Sequence, residues 1–223
     1  QLLGTSAAAP KHEHAPITTS DAQLVALPVR TASGHFCWMS CPSVLSQLVK
    51  WVVDSFGGEV PFGVPEVPDV GVVAHPSCTV VSEDVLLAEE FPLAVTRTEA
   101  LDAIGSWIST QLLPQAQALL WWREKLRHDL ALVSDQKFAL FTHQACQTLL
   151  RVSSPGRSRG EDPNQSGTLV MYPSNAIFVA ALQTAPELVQ QSKENLASLK
   201  LRALTVGAER GTGHGVSTVR VLL

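Results

Sequence analysis

The chain has 223 residues, of which 45% are hydrophobic and 16% charged, and its formal net charge is −4. This hydrophobic content can bury a sizeable core, which excludes a disordered chain. The acidic balance argues against a protein that wraps nucleic acid through clustered Lys and Arg, and the low charged fraction favours a subunit whose faces are covered by partners.

The first twenty residues are rich in Ala, Thr, Ser and Pro and show no hydrophobic periodicity. They predict an extended or disordered N-terminal arm over 1–20, followed by a single α+β domain over 21–223. Because the chain begins at Gln1 and not at Met, removal of a mitochondrial presequence is one hypothesis, and it is the basis for expecting an intracellular, mitochondrial location.

The N-terminal part of the domain shows strand and helix signals. Residues 22–29 and 35–39 are short apolar stretches separated by turn formers, and they predict a β-hairpin. Pro42 suits the first turn of a helix that runs through Phe56 and ends at Gly57. The proline-rich stretch 59–76 predicts extended backbone. Residues 79–81 predict a strand, and 82–84 a cap for a short helix before Pro92.

A helical block over 96–153 carries the longest apolar periodicity in the sequence. Thr96 and Glu99 have the spacing of a capping box, which predicts a helix start. Pro114 favours the start of a second helix and Asp135 the start of a third, which runs to Val152. Three helices joined so tightly are expected to pack as antiparallel neighbours.

Beyond the block, residues 153–167 predict a flexible loop because they are rich in Gly, Pro and charges of both signs. Strands are predicted at 168–172 and 176–182, a helix at 184–198, and strands at 199–206 and 216–223 around a Gly-rich loop. The expected fold is therefore α+β, with a central helical block packed on a mixed or antiparallel sheet formed by N- and C-terminal segments.

Membrane spans, metals and cofactors are not predicted. The longest charge-free runs are 103–122 and 163–186, and they are broken by Pro114 and Pro173, so neither resembles a transmembrane helix. Cys37 and Cys41 form one loose pair, whereas a zinc site needs two closely spaced pairs of ligands. Trp121 and Trp122 lie in an amphipathic helix, where core or contact roles are more common than a membrane interface.

One enzyme-like pair is Cys37, within Gly34-His35-Phe36-Cys37-Trp38, and His214, within Gly213-His214-Gly215-Val216. These surroundings resemble those of the nucleophile and base in papain-like cysteine peptidases. The resemblance implies a thiolate at a helix N-terminus, paired with a distant His. Pro42 opposes a helix that begins at Cys37, and no Asn or Asp follows His214 to orient it, so this hydrolase is kept as an alternative.

The leading hypothesis is a non-catalytic structural or adaptor subunit of a larger multi-protein assembly, of an organellar kind. Its expected partners are other protein subunits, with nucleic acid not a main partner, no transmembrane segment, and no catalytic, cofactor or metal residues. The alternatives are the cysteine hydrolase through Cys37 and His214, and a module that binds RNA or lipid.

Overall fold

The computed structural model describes residues 17–151, 167–199, 203–206 and 214–222. Most of the predicted arm, most of the predicted 153–167 loop and most of the Gly-rich loop lie outside these residues. In the described part the strands are β1 (Thr18–Thr19), β2 (Gln23–Arg30), β3 (Phe36–Ser40), β4 (Val72–Ala74), β5 (Val85–Ala88), β6 (Phe91–Arg97), β7 (Leu130–Leu132), β8 (Gln147–Arg151), β9 (Gly167–Met171), β10 (Ile177–Val179), β11 (Leu182–Gln183), β12 (Ala203–Thr205) and β13 (Val216–Thr218). The helices are α1 (Pro42–Phe56), α2 (Ala100–Gln111), α3 (Leu120–His128), α4 (Asp135–Ala145) and α5 (Val189–Leu199), with 3₁₀ turns at Gln117–Leu119 and Pro186–Leu188.

The chain divides into two compact units. The sheet unit comprises Leu24–Asp102 and His128–Ile177, and the helical unit comprises Ala103–Arg127 with the described parts of Gln1–Gln23 and Phe178–Leu223. In the helical unit, β1 pairs with β11 and β12 pairs with β13, both antiparallel. In the sheet unit, β8 and β9 form a separate antiparallel hairpin.

A seven-stranded sheet in the order β10-β2-β3-β7-β4-β6-β5 is the largest described element. The β3–β7 and β4–β6 pairs are parallel, whereas β2–β3, β4–β7 and β5–β6 are antiparallel. The predicted α+β class with a mixed sheet is therefore confirmed. Apolar side chains of the sheet unit form one cluster, whose members are Leu27, Val29, Cys37, Met39, Cys41, Val72, Ala74, Cys78, Val80, Leu86, Ala88, Leu93, Ala131, Val133, Phe138 and Phe141.

Helix α1 has the predicted bounds because both of its ends carry strong local signals. Pro42 occupies the first turn, where its missing amide costs nothing. Gly57 follows the helix in the left-handed conformation with φ 64°, and its N–H donates to the Val53 carbonyl at 2.9 Å. Glycine adopts this conformation without a steric penalty, so the helix ends there. The β2–β3 hairpin also forms as predicted.

The helical block differs from the prediction in two ways. Thr96 lies in β6, paired with Val73, so its backbone belongs to the sheet, and α2 begins at Ala100, whose amide donates to the Thr98 hydroxyl. In addition, β7 separates α3 from α4, and β8 follows α4, so the block is not three consecutive helices. Short apolar runs such as β7 suit a buried strand or a helix equally, so periodicity does not separate the two.

The predictions for 79–84 are also wrong. The Thr79 amide donates to the Asp129 carboxylate at 2.7 Å instead of to a neighbouring strand. Glu83 and Asp84 have φ values of 50° and 57°, which a right-handed helix cannot contain. They form a tight turn in which Ser82 and Val85 exchange backbone hydrogen bonds, and this turn leads into β5.

Asp135 connects the starts of two helices in the sheet unit. Because β3 and β7 are parallel, with Ser40 paired to Leu132, α1 and α4 begin side by side. The Asp135 carboxylate accepts from the Ser43 amide at 3.0 Å and from the Ser43 hydroxyl. The α1 N-cap residue, Cys41, makes no side-chain cap hydrogen bond, so Asp135 caps α1 from the neighbouring helix. These hydrogen bonds, the one from the hydroxyl first, lower the pKa of Asp135 below its ordinary value of 3.8.

We expect Asp135→Ala to lower the free energy of unfolding by about 1 kcal/mol at neutral pH, because α1 loses its cap. A depressed carboxyl pKa stabilises the fold above the unfolded-state pKa and ceases to do so as pH falls through the folded-state value. The difference between wild type and variant, measured by denaturant unfolding, should therefore shrink below pH 4. The control is Asp54→Ala, which removes an exposed ion pair to Lys50 and should cost less than ~0.5 kcal/mol. A pH-independent loss in Asp135→Ala would contradict this assignment.

Candidate functional site

Polar side chains lie close together at one end of the seven-stranded sheet. At this end β4 and β6 finish and β7 begins, so the residues that follow or precede these strands are brought together. His75 follows β4, Arg97 ends β6, and His128 and Asp129 precede β7. These residues come from three separate stretches of the chain, so their spacing in the sequence does not predict a site.

Two imidazoles and a hydroxyl form the histidine cluster, which consists of His75, Ser77 and His128. The Ser77 hydroxyl lies 2.7 Å from Nδ1 of His75 and 2.8 Å from Nδ1 of His128. The Ser77 amide donates to the same His75 Nδ1 at 3.1 Å, so this nitrogen is the acceptor and, in the neutral ring, Nε2 carries the proton. The two rings meet edge to face with centroids 5.4 Å apart.

Carboxylates surround the histidine cluster. Nε2 of the buried His75 lies 3.7 Å from Glu99 and 3.9 Å from Asp102, beyond hydrogen-bond distance but within the range of an ion pair when the ring is protonated. Asp129, which is 2% exposed, accepts hydrogen bonds from the amide and hydroxyl of Thr79. These contacts hold the turn after β4 against the start of β7.

The order serine, histidine, carboxylate is that of a nucleophile, its base and an orienting group. Here the carboxylates are too far from His75 to orient it by hydrogen bonds, and the Ser77 hydroxyl is held between two imidazoles. A metal is not indicated either, because no three His, Cys, Asp or Glu side chains in the described residues are close enough to hold one. The cluster therefore has a structural role, because it links the turn after β4 to the residues before β7.

Helix α3 of the helical unit has a different character, and we call it the basic helix. Arg123, Lys125 and Arg127 provide three cations against the single acid Glu124. Trp121 is 58% exposed and meets Trp122 edge to face, and the Lys125 ammonium lies 5.9 Å from the Trp121 ring centroid. Exposed aromatic rings among cations are the surface that single-stranded nucleic acids bind. These residues are neighbours in the sequence, but the prediction about nucleic acid used the net charge of the whole chain and gave this local group no weight.

The cysteine hydrolase alternative is wrong. Cys37 lies within β3, fully buried in the apolar cluster, so no substrate can reach its sulfur. It is also not at a helix N-terminus, which a reactive thiolate of this kind requires. His214 is a partly buried residue of the helical unit, next to β13. Burial raises the pKa of two other thiols, Cys41 to about 12 and Cys78 to about 11.

Comparisons with known proteins identify the fold. No family model matches the sequence, and a comparison with curated proteins finds no significant match. Among solved structures, oligomeric Cmr4 from Pyrococcus furiosus matches 91% of this chain and 72% of its own length, with a TM-score of 0.71 and 18% identity. Cmr4 (Cas7) of the same organism gives 91%, 73%, 0.65 and 19%. A chain of the type III-B Cmr-beta complex, solved by cryo-EM with cognate target RNA bound, gives 96%, 73%, 0.60 and 12%.

These matches overturn three predictions. The hypothesis of an organellar adaptor is wrong, because the structural neighbours include a chain of a complex that was solved with target RNA bound. The expectation that nucleic acid is not a main partner is wrong for the same reason. The mitochondrial location is wrong because the neighbours are prokaryotic proteins. The expectation of a multi-subunit complex agrees with one neighbour, which is itself a chain of such a complex.

None of the helices in the described residues combines the length and apolar character needed to cross a bilayer.

We expect thiol reagents to distinguish the four cysteines in the folded chain. Cys146 is partly exposed, whereas Cys37, Cys41 and Cys78 are buried, so Cys146 should react first with an aromatic disulfide reagent. Cys146→Ser should remove the fast phase, and guanidinium should expose all the thiols. Labelling of Cys37 as fast as Cys146, located by peptide mass spectrometry, would contradict the burial described here.

Proposed function

We propose that this chain is an RNA-binding subunit of a multi-subunit ribonucleoprotein of the type III CRISPR kind. The observation that carries the proposal is the likeness to Cmr4 over 91% of the chain at a TM-score of 0.71. A second neighbour, similar over 96% of this chain, belongs to a complex with target RNA bound. At these identities the likeness concerns the fold, so RNA binding needs support from the residues of this chain.

The basic helix provides that support. Unpaired RNA is recognised by stacking of its bases on aromatic rings and by cations that follow its phosphates. Trp121 presents an exposed ring, and Arg123, Lys125 and Arg127 lie within two turns of it on the same helix. Lys125 near the Trp121 face adds a cation that can meet a phosphate beside a stacked base.

The net charge of −4 is compatible with this role. Affinity for a polyanion depends on the cations that touch its phosphates, and acids elsewhere on the chain are screened beyond about 10 Å at ordinary salt. One neighbour is described as oligomeric. A repeated subunit contacts one RNA strand many times, so a modest basic surface on each copy is sufficient.

We further infer that the subunit holds RNA and does not cut it. The histidine cluster offers the nearest approach to acid–base chemistry, but the Nδ1 atoms of both its rings are engaged with Ser77. Glu99 and Asp102 beside His75 would repel a phosphodiester. These features therefore support neither catalysis nor RNA binding at this surface of the sheet unit.

The proposal is tested by RNA binding of the purified chain at a series of salt concentrations. We expect retention of single-stranded RNA that weakens linearly on a plot of log affinity against log salt, because each contacted phosphate releases counterions. RNA incubated with the chain and Mg²⁺ or Mn²⁺ should keep its length. Failure to bind at about 50 mM salt would overturn RNA binding, and specific cleavage would overturn the non-catalytic role.

We expect Trp121→Ala to weaken single-stranded RNA binding about tenfold, since stacking of one base contributes roughly 1–3 kcal/mol. Phe56→Ala is the matched control, because Phe56 is 57% exposed in the sheet unit and has no cation beside it among the described contacts. The measurement is fluorescence anisotropy with labelled RNA. Equal weakening by both variants would show that Trp121 has no special part.

A further inference from the structure

The helical unit contains a polar depression beside the basic helix. Its volume is about 210 Å³, and its lining includes Ser106, Ser109 and Thr110 from α2 and Arg123 and Arg127 from α3. A water molecule occupies ~30 Å³ of the liquid, whereas pockets for whole small molecules measure ~300–1,000 Å³. The depression therefore has room for a small charged group and its water.

The charge of the lining favours an anion. Two guanidinium groups, those of Arg123 and Arg127, stand against one carboxylate, that of the exposed Glu124. Two of the hydroxyls, those of Ser109 and Thr110, donate to the Ser106 carbonyl, so they are not available to an anion in the depression.

The carbonyls at the end of α2 would ordinarily repel an anion, but they are covered. The Gln115 side-chain amide donates to the carbonyls of Ser109 at 3.0 Å and Leu113 at 2.8 Å. Arg220 donates to the carbonyls of Leu113, at 2.9 Å, and Thr110. The negative end of the helix is thereby neutralised where the depression adjoins it.

The Arg123 side chain is held in place by Gln115. Its NH1 donates to Oε1 of Gln115 at 2.5 Å, and Gln115 is itself fixed by the two carbonyls. Its Nε is buried and has no hydrogen-bond partner in the described residues. A buried donor left without an acceptor costs about 1–3 kcal/mol, so such a group marks a position where an acceptor belongs.

The spacing of the two helices is fixed by Gly105. A Cβ atom there would lie 2.8 Å from the Arg127 carbonyl oxygen, so α2 and α3 meet backbone to backbone at this point. The separation of α2 and α3 beside the depression is therefore set by main-chain contact.

We propose that this depression binds a phosphate group of the RNA backbone, with Arg123 as the principal donor and Arg127 as a second positive charge. The planar guanidinium matches a phosphate with two parallel donors. The inference rests on the proposed RNA-binding function and adds the site and the chemical group that it takes.

The test compares RNA binding of wild type, Arg123→Gln, Arg123→Lys and the control Arg30→Gln across a salt series. Arg30 is an exposed arginine of the sheet unit paired with Glu89, so its loss should leave affinity unchanged. Arg123→Gln should bind RNA about five- to tenfold more weakly and reduce the salt slope by about 0.7, the value for one contact on a single strand. Arg123→Lys keeps the charge, so it should retain the slope but lose part of the affinity.

A direct measurement covers the case in which Arg123→Gln folds poorly. In wild type labelled with ¹⁵N-arginine, the Arg123 Nε–H resonance should shift on addition of RNA, and its exchange with solvent should slow. An unchanged resonance, or wild-type affinity and slope in Arg123→Gln, would overturn this site while RNA binding by the wild type stands. No RNA binding by the wild type would overturn the proposed function and this site together.

Discussion

The sheet unit depends on the parallel pairing of β3 with β7. Each strand leads directly into a helix, so the pairing places the N-termini of α1 and α4 next to each other, with both dipoles pointing their positive ends the same way. Two such ends repel unless an anion lies between them. Asp135 provides that anion from within the fold, because it belongs to the first turn of α4 and accepts from the Ser43 amide of α1.

The same strand arrangement explains where polar chemistry collects. At the end of the sheet away from the helix starts, the turn after β4 meets the approach to β7, and buried polar groups there need partners. His75, Ser77 and His128 satisfy one another, and Asp129 satisfies Thr79. The outcome is a well-paired end of the sheet whose side chains serve the fold, whereas the basic helix of the helical unit exposes the Trp121 ring beside half-buried cations.

Local signals allowed part of the fold to be predicted from the sequence, and long-range contacts account for most of what was missed. Pro42 and Gly57 define α1 through their own backbone preferences, so its bounds needed no knowledge of the rest of the chain. Thr96 shows the opposite case, because its capping signal lost to pairing with Val73, a partner distant in sequence. The histidine cluster and the Gln115–Arg123 contact likewise join residues whose proximity only the folded chain reveals. RNA binding was not the leading hypothesis from the sequence because net charge is a sum over the whole chain, while a polyanion responds to the few cations that it contacts.

Gly105 has a consequence for the thermodynamics of any ligand between α2 and α3. Main-chain atoms have no rotamers, so a gap set by backbone contact loses its freedom when the chain folds and not when a ligand arrives. The entropy of bringing the two helix backbones together is therefore lost during folding, and the buried Arg123 Nε–H is desolvated at the same stage. A ligand that gives this donor an acceptor would relieve the desolvation penalty, so its binding would also raise the free energy of unfolding.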